Sequence, residues 1–407
     1  MRHDDGSFLE TESLRHRSRR TFLSVTLTGL MLGFSAVPIG MYRRELLGED
    51  WRLNELMLLA LDAYSGAVIA VDAFKETVTG RTSILGDPTG ILFSRSNLML
   101  LVVDAVERRL TILRDPQSAR TQTIDLNFEP TLASLSEDGS RIALADWSTG
   151  VLVILDSRDG REVQRFSGLE GAHGLLFNRD GTGLFIPIVD QPRIAHVDLH
   201  RMNFLPDLRL PVAKGVDRLV RTDDGSTGMA LTPVDGDATV FVVDFDGRHS
   251  PIACSVPSPV ARAVADYSAP RFYAASAWEP ELYLLADSGE LHATFHTGGP
   301  LLDEGVVVPG DGRVLGLSLD HQTALIFDPS GLSSPIAVDI PGAPMAMYIH
   351  SESRKAFFAL ADENAIGVLD LVKPFGSSNP PEVRKISLRD DNATGFAVTD
   401  SSGICHT

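Results

Sequence analysis

Cysteine is almost missing from this sequence, with 2 residues in 407. That excludes a disulfide framework and any multi-cysteine metal cluster. Cys405-His406 is not a haem-attachment motif, because no Cys-x-x-Cys-His is present. There is no Gly-x-Ser-x-Gly elbow, no phosphate-cradling glycine loop and no His-Glu-x-x-His pair, so nothing marks a serine hydrolase, a P-loop enzyme or a zincin. Basic residues are also outnumbered, 36 against 54 acidic ones, for a net charge of −18. A nucleic-acid binder needs a basic face, and this balance argues against one. What remains is a globular composition, 43% hydrophobic and 22% charged.

The charge is unevenly spread. Residues 1–44 hold seven arginines and four acids, a sum of +3, which leaves −21 on residues 45–407. Ser18-Arg19-Arg20-Thr21-Phe22-Leu23 resembles a twin-arginine export signal, and an uncharged stretch from Thr21 to Met41 follows it. The resemblance implies export to the bacterial periplasm. Phe34-Ser35-Ala36 is a poor cleavage site, and 21 residues suffice to cross a bilayer. Residues 1–44 therefore read as a twin-arginine-type signal or a membrane anchor, and residues 45–407 as the exported body. Any membrane contact would run through residues 21–41 alone.

The body repeats. Short apolar runs close on Asp62, Asp104, Asp146, Asp190, Asp235, Asp320 and Asp362, with Trp278 filling the one gap. The spacings are 42, 42, 44, 45, 43, 42 and 42. A second aspartate closes the next run in most units: Asp72, Asp156, Asp198, Asp244, Asp287, Asp328 and Asp370. Asp-Gly turns precede the first mark at 138–139, 180–181, 224–225 and 311–312. Runs such as 151–156 and 239–244 are too short for helices and rich in β-branched residues. Four antiparallel strands per ~42 residues is the spacing of a propeller blade. The fold expected is all-β: a single β-propeller of four-stranded blades, eight preferred and seven as the alternative. The first unit lacks a first strand, and residues 395–403 supply one, so the C-terminal strand should close the ring. The recurring aspartates read as turn-holding residues.

This grammar resembles the bacterial YVTN and YncE-like propellers of the quinoprotein-like group, with Asp where that family carries Asn. The resemblance implies the fold and an exported or surface location, and it does not imply one activity.

Residues just before each innermost strand should ring the mouth of the central channel. The spacing places Thr89, Thr131, His173, Asp217, Ala261, Glu304, Met345 and Thr394 there, with Arg218, Arg262 and Asp303 beside them. His173, Asp217, Arg218, Arg262, Asp303 and Glu304 form a polar arc on one side, a candidate ligand site with carboxylates for a cation and arginines for an anion. Other histidines carry weaker signals. His292 and His296 share one strand face, and Cys254 and Cys405 read as free buried thiols.

Two functional readings follow. The first is an exported periplasmic binding or scaffold propeller, a monomer with no cofactor, docking a protein partner or a small ligand. The alternative is a propeller enzyme or enzyme subunit. It would be a lactonase-like hydrolase with a divalent metal at the channel mouth, or a quinoprotein-type dehydrogenase component.

Overall fold

The second-strand segments read as unbroken apolar runs such as Met99–Asp104 and Lys355–Leu360, because both of their faces are buried. The computed structural model describes residues 57–400, less 63–65, 85, 87, 95–96, 115–120, 213, 223, 235–237, 267–268, 300, 308–311, 329, 331–333, 351–352, 361–362, 364, 373–380 and 389–395. The export signal, Thr394 and Cys405 lie outside the described residues. Among the described residues no helix is long and apolar enough to cross a membrane.

The described residues form eight antiparallel four-stranded sheets. Seven are contiguous in sequence. The remaining one, blade 1, is composite: Phe396–Asp400 pairs with Met57–Asp62, which continues into Ala67–Asp72 and Thr77–Ser83. Blades 2 to 8 follow in order, and each contributes its first strand to the inner ring: Gly90–Ser94, Leu132–Leu135, Leu176–Phe177, Arg218–Arg221, Val260–Ala265, Glu304–Val307 and Pro344–His350. The closing strand Phe396–Asp400 lies against the inner strands of both blade 8 and blade 2. The ring of eight is closed as expected, by the C-terminal strand.

Alternation along each strand sends successive side chains to opposite neighbours. In the second strand of blade 4, Leu184 and Ile186 pack toward blade 3, whereas Phe185 packs toward blade 5. In blade 8, Phe357 and Ala359 meet Ile69 and Val71 of blade 1, whereas Phe358 and Leu360 meet Leu315 and Leu317 of blade 7. Among the described residues, buried apolar side chains form eight hydrophobic clusters, one at each seam. The seam that closes the ring has polar ties as well. Lys355 of blade 8 donates to the carbonyls of Ala73 and Phe74 in blade 1, both at 3.0 Å, and pairs with Glu76 at 2.9 Å. Arg384 adds a second cation to Glu76.

The turn aspartates do what their recurrence implies. Asp146 accepts the N–H groups of Ser148 and Thr149, Asp156 that of Arg158, Asp198 those of His200 and Arg201, and Asp370 that of Val372. In the Asp-Gly turns, Asp138, Asp180 and Asp224 accept from the residue two positions on. One correction concerns the first mark. Asp62, Asp104 and Asp146 end their strands, but Asp190 and Asp320 fall inside the following loop. Trp278 is the counterpart of those loop residues. The strand-ending role in blade 6 belongs to Ser276, which accepts the N–H groups of Trp278 and Glu279 at 3.2 and 2.9 Å. A serine hydroxyl makes the same turn as an aspartate, more weakly.

Seam packing should dominate stability. Phe358 is fully buried at the seam of blades 7 and 8, and Phe358→Ala should cost about 3–5 kcal/mol of unfolding free energy. Urea unfolding followed by fluorescence measures it, and a loss under about 1 kcal/mol would show that the seam repacks freely.

Candidate functional site

In a four-stranded blade, the loop joining strands two and three opens on the same face as the crossover into the next blade. That face carries the channel mouth. The residue before each inner strand sits where these two connections meet, and the structure gives it a job. Thr89 donates its hydroxyl to the Val103 carbonyl (3.2 Å) and accepts the Ala105 N–H (3.1 Å). Thr131 repeats this with Ala145 (3.2 Å) and Trp147 (3.0 Å). In blade 7 the equivalent residue is Asp303, one position before Glu304, and its carboxylate accepts the Leu319 N–H at 2.7 Å. These three side chains cap the neighbouring strand's end, where a backbone N–H lacks a ladder partner. Ala261 and Met345 sit at β-bulges, at the register shifts between Val260 and Arg262 and between Pro344 and Ala346. A bulge adds one residue to the strand, and even spacing cannot foresee it. The side chain of Glu304 lies outside the described residues.

His173 and Asp217 occupy the same position in blades 4 and 5 and pair with each other across the seam. His173 Nδ1 lies 2.8 Å from Asp217 Oδ1 and 3.0 Å from the Asp217 carbonyl. This seam differs from the others for a reason visible in one residue. Pro187 stands in the second strand of blade 4 and has no N–H to offer the inner strand. The ladder there is reduced to Leu176 and Phe177, with an isolated bridge from Ala172 to Ile188. The lead-in to blade 5 fills the gap. Val216 donates its N–H to the Ile188 carbonyl at 2.8 Å. Gly215 passes so close to Val189 that a Cβ there would stand 1.7 Å from the carbonyl oxygen, so only glycine fits.

Charge organises the rest. Arg218 Nε lies 3.3 Å from Asp217 Oδ2. Burial opposes ionisation of Asp217, but the hydrogen bond from His173 and the charges of Arg218, His173 and Arg262 outweigh it, and its pKa falls below the ordinary carboxylate value. His173 moves the other way. The Asp217 hydrogen bond raises its pKa, against burial and the charge of Arg218. Asp303 is raised, chiefly by burial and also by Asp320, although Arg262 opposes this. Arg262 thus acts electrostatically on both Asp217 and Asp303, and it donates Nη1 to the Ala261 carbonyl at 2.9 Å. Of the six residues expected from the sequence, the structure brings His173, Asp217 and Arg218 into contact and places Arg262 and Asp303 within electrostatic reach.

Chemically, this arrangement offers two half-buried guanidinium groups, a His–carboxylate pair and a carboxyl with raised pKa. Among the described residues no group of three His, Cys, Asp or Glu side chains could hold a metal ion. The other sequence candidates stand apart. His292 and His296 are exposed on the outer strand of blade 6, beside Glu290 and Glu281. His196 stacks on Phe185, and burial lowers its pKa. Cys254 is a free, buried thiol whose pKa burial raises. What the spacing missed is the wall of the face itself. Val106, Trp147 and Trp278 are exposed on the loops between second and third strands. Their signal was the apolar residue one or two places beyond each strand end.

The His173–Asp217 contact gives stability a specific pH dependence. A raised histidine pKa adds stability that is complete below about pH 6.5 and is lost as pH rises through the folded value. The lowered Asp217 pKa adds stability that is complete above about pH 3.9 and is lost as pH falls through its folded value. The pair therefore contributes most between those limits. The difference in thermal midpoint between the native chain and His173→Gln should be larger at pH 6 than at pH 9. An equal difference at both values would mean that His173 is neutral in the folded state.

No family model and no curated protein matches this sequence. Solved structures do match its fold. The dihydro-heme d1 dehydrogenase NirN, in complex with DHE, is similar with a TM-score of 0.67 at 12% identity, over 86% of this chain and 77% of that one. BamB from Moraxella catarrhalis is similar with a TM-score of 0.59 at 15% identity, over 78% and 92% of the two chains. A chain of the mitotic checkpoint complex gives 0.54 at 16% identity, over 82% and 97%. Likeness at this identity is a likeness of fold, and it supports the β-propeller.

Proposed function

We propose that this chain is an exported binding or scaffold propeller that docks a protein partner on its channel-mouth face. One observation carries the reading. That face presents Val106, Trp147 and Trp278 to solvent from the loops of blades 2, 3 and 6, at 67%, 41% and 55% exposure. Single exposed apolar side chains are ordinary. Large aromatics repeated on corresponding loops of one flat face are the composition of an interface. The channel-mouth polar groups fit the same reading, since Thr89, Thr131 and Asp303 hold backbone N–H groups of the scaffold. The twin-arginine-type segment supports a periplasmic location, with or without an anchor at residues 21–41.

Two experiments test this. Replacing Arg19 and Arg20 together by lysine should leave the protein in the cytoplasmic fraction, whereas unchanged export would remove the twin-arginine reading. A photo-crosslinking amino acid at Val106 or Trp147 should give discrete high-mass adducts in cells. The same group at Phe74 or Val372, exposed on the opposite face, should not. Adducts from the opposite face alone, or from neither face, would overturn mouth-face docking.

A further inference from the structure

The exposed tryptophans of the mouth face do not stand alone. Glu170 belongs to the crossover between blades 3 and 4, and its neighbour Gly171 donates its N–H to the Trp147 carbonyl at 3.0 Å. The Glu170 side chain lies over Gly150, the last residue of Trp147's own loop, where an added Cβ would meet the Glu170 carboxyl carbon at 2.8 Å. Trp147 and an exposed carboxylate therefore share one loop platform. Blade 6 repeats the pairing in sequence: Trp278 and Glu279 are both exposed, and both bond their N–H groups to Ser276. An exposed indole and an exposed carboxylate on one loop cluster suit a guanidinium or ammonium group, which the ring face attracts and the carboxylate neutralises.

The surrounding charge has the same sign. Among the described residues of this face the exposed carboxylates on the loops include Glu107, Glu170, Asp190, Glu279, Asp320 and Glu363, against one loop guanidinium, Arg108; Arg209 and Lys385, near the mouth ends of outer strands, pair with Asp207 and Glu363. Two blades, 4 and 5, lie between the two tryptophans, so one occupant touching both must lie across the mouth.

We infer that the mouth face binds a basic polypeptide segment, seating arginine or lysine side chains on the Trp147–Glu170 and Trp278–Glu279 platforms. The inference rests on mouth-face docking and names its chemistry. Acidic charge steers the segment in, and the two platforms hold it.

The test is fluorescence anisotropy of the full chain with a labelled peptide of alternating arginine and alanine. A glutamate–alanine peptide and phosphatidylcholine vesicles are run in parallel. The basic peptide should bind saturably and the other two should not. Trp147→Ser/Trp278→Ser, which leaves net charge unchanged, should weaken binding about tenfold. Glu170→Gln/Glu279→Gln should weaken it comparably, and Asp159→Asn on the opposite face should leave it unaltered. Circular dichroism confirms that each variant is folded, and the two double variants are independent of each other. No binding, binding by both double variants as tight as by the native chain, or binding of vesicles alone would overturn the inference. Mouth-face cross-links obtained alongside such a failure would leave docking standing and remove only its basic partner.

Discussion

Everything in this molecule depends on each blade burying both faces of its sheet against its neighbours. Such a sheet cannot show a polar side to water except at its outermost strand. The outer strand of blade 6 shows the consequence, with alternate residues half-buried and exposed, whereas its second strand is buried from Phe272 to Ser276. Each seam closes only if the next blade is present. The last seam therefore requires the two chain ends to meet, with Phe396–Asp400 completing the sheet begun at Met57. Lys355, Arg384 and Glu76 tie that same seam with charge.

Packing of this kind leaves the loops as the free part of the structure. Aspartate, serine and threonine side chains satisfy the backbone N–H groups that the ladders leave over. Asp104, Asp146 and Ser276 do so while largely buried. Thr89, Thr131 and Asp303 extend this to the channel mouth. Much of the acidic excess is therefore architectural. The part with binding potential is the exposed fraction on the mouth face, where carboxylates accompany tryptophans.

The seam between blades 4 and 5 shows how one residue redirects a site. Pro187 removes a ladder donor, the inner strand shortens, and the lead-in to blade 5 moves into the space through Gly215 and Val216. His173 and Asp217 then face each other instead of capping a strand. A polar cluster of the mouth thus coincides with an irregular stretch of backbone.

The sequence by itself determined the blade, the number of repeats, the closing strand and the role of the turn aspartates. These follow from local rules, strand periodicity and turn chemistry, which repeat every ~42 residues and reinforce one another. It also pointed to His173, Asp217 and Arg218, because the residue before an inner strand keeps its place in the repeat. It misplaced the blade 6 mark at Trp278 and set Glu304 where Asp303 stands. Tertiary structure decided those points, because a bulge or an added loop residue shifts the register without changing the apolar pattern. Only the folded ring brought His173 to Asp217, 44 residues apart, and gathered Trp147 and Trp278 on one face. Those groupings depend on which loops share a side of the ring, and no local rule carries that information.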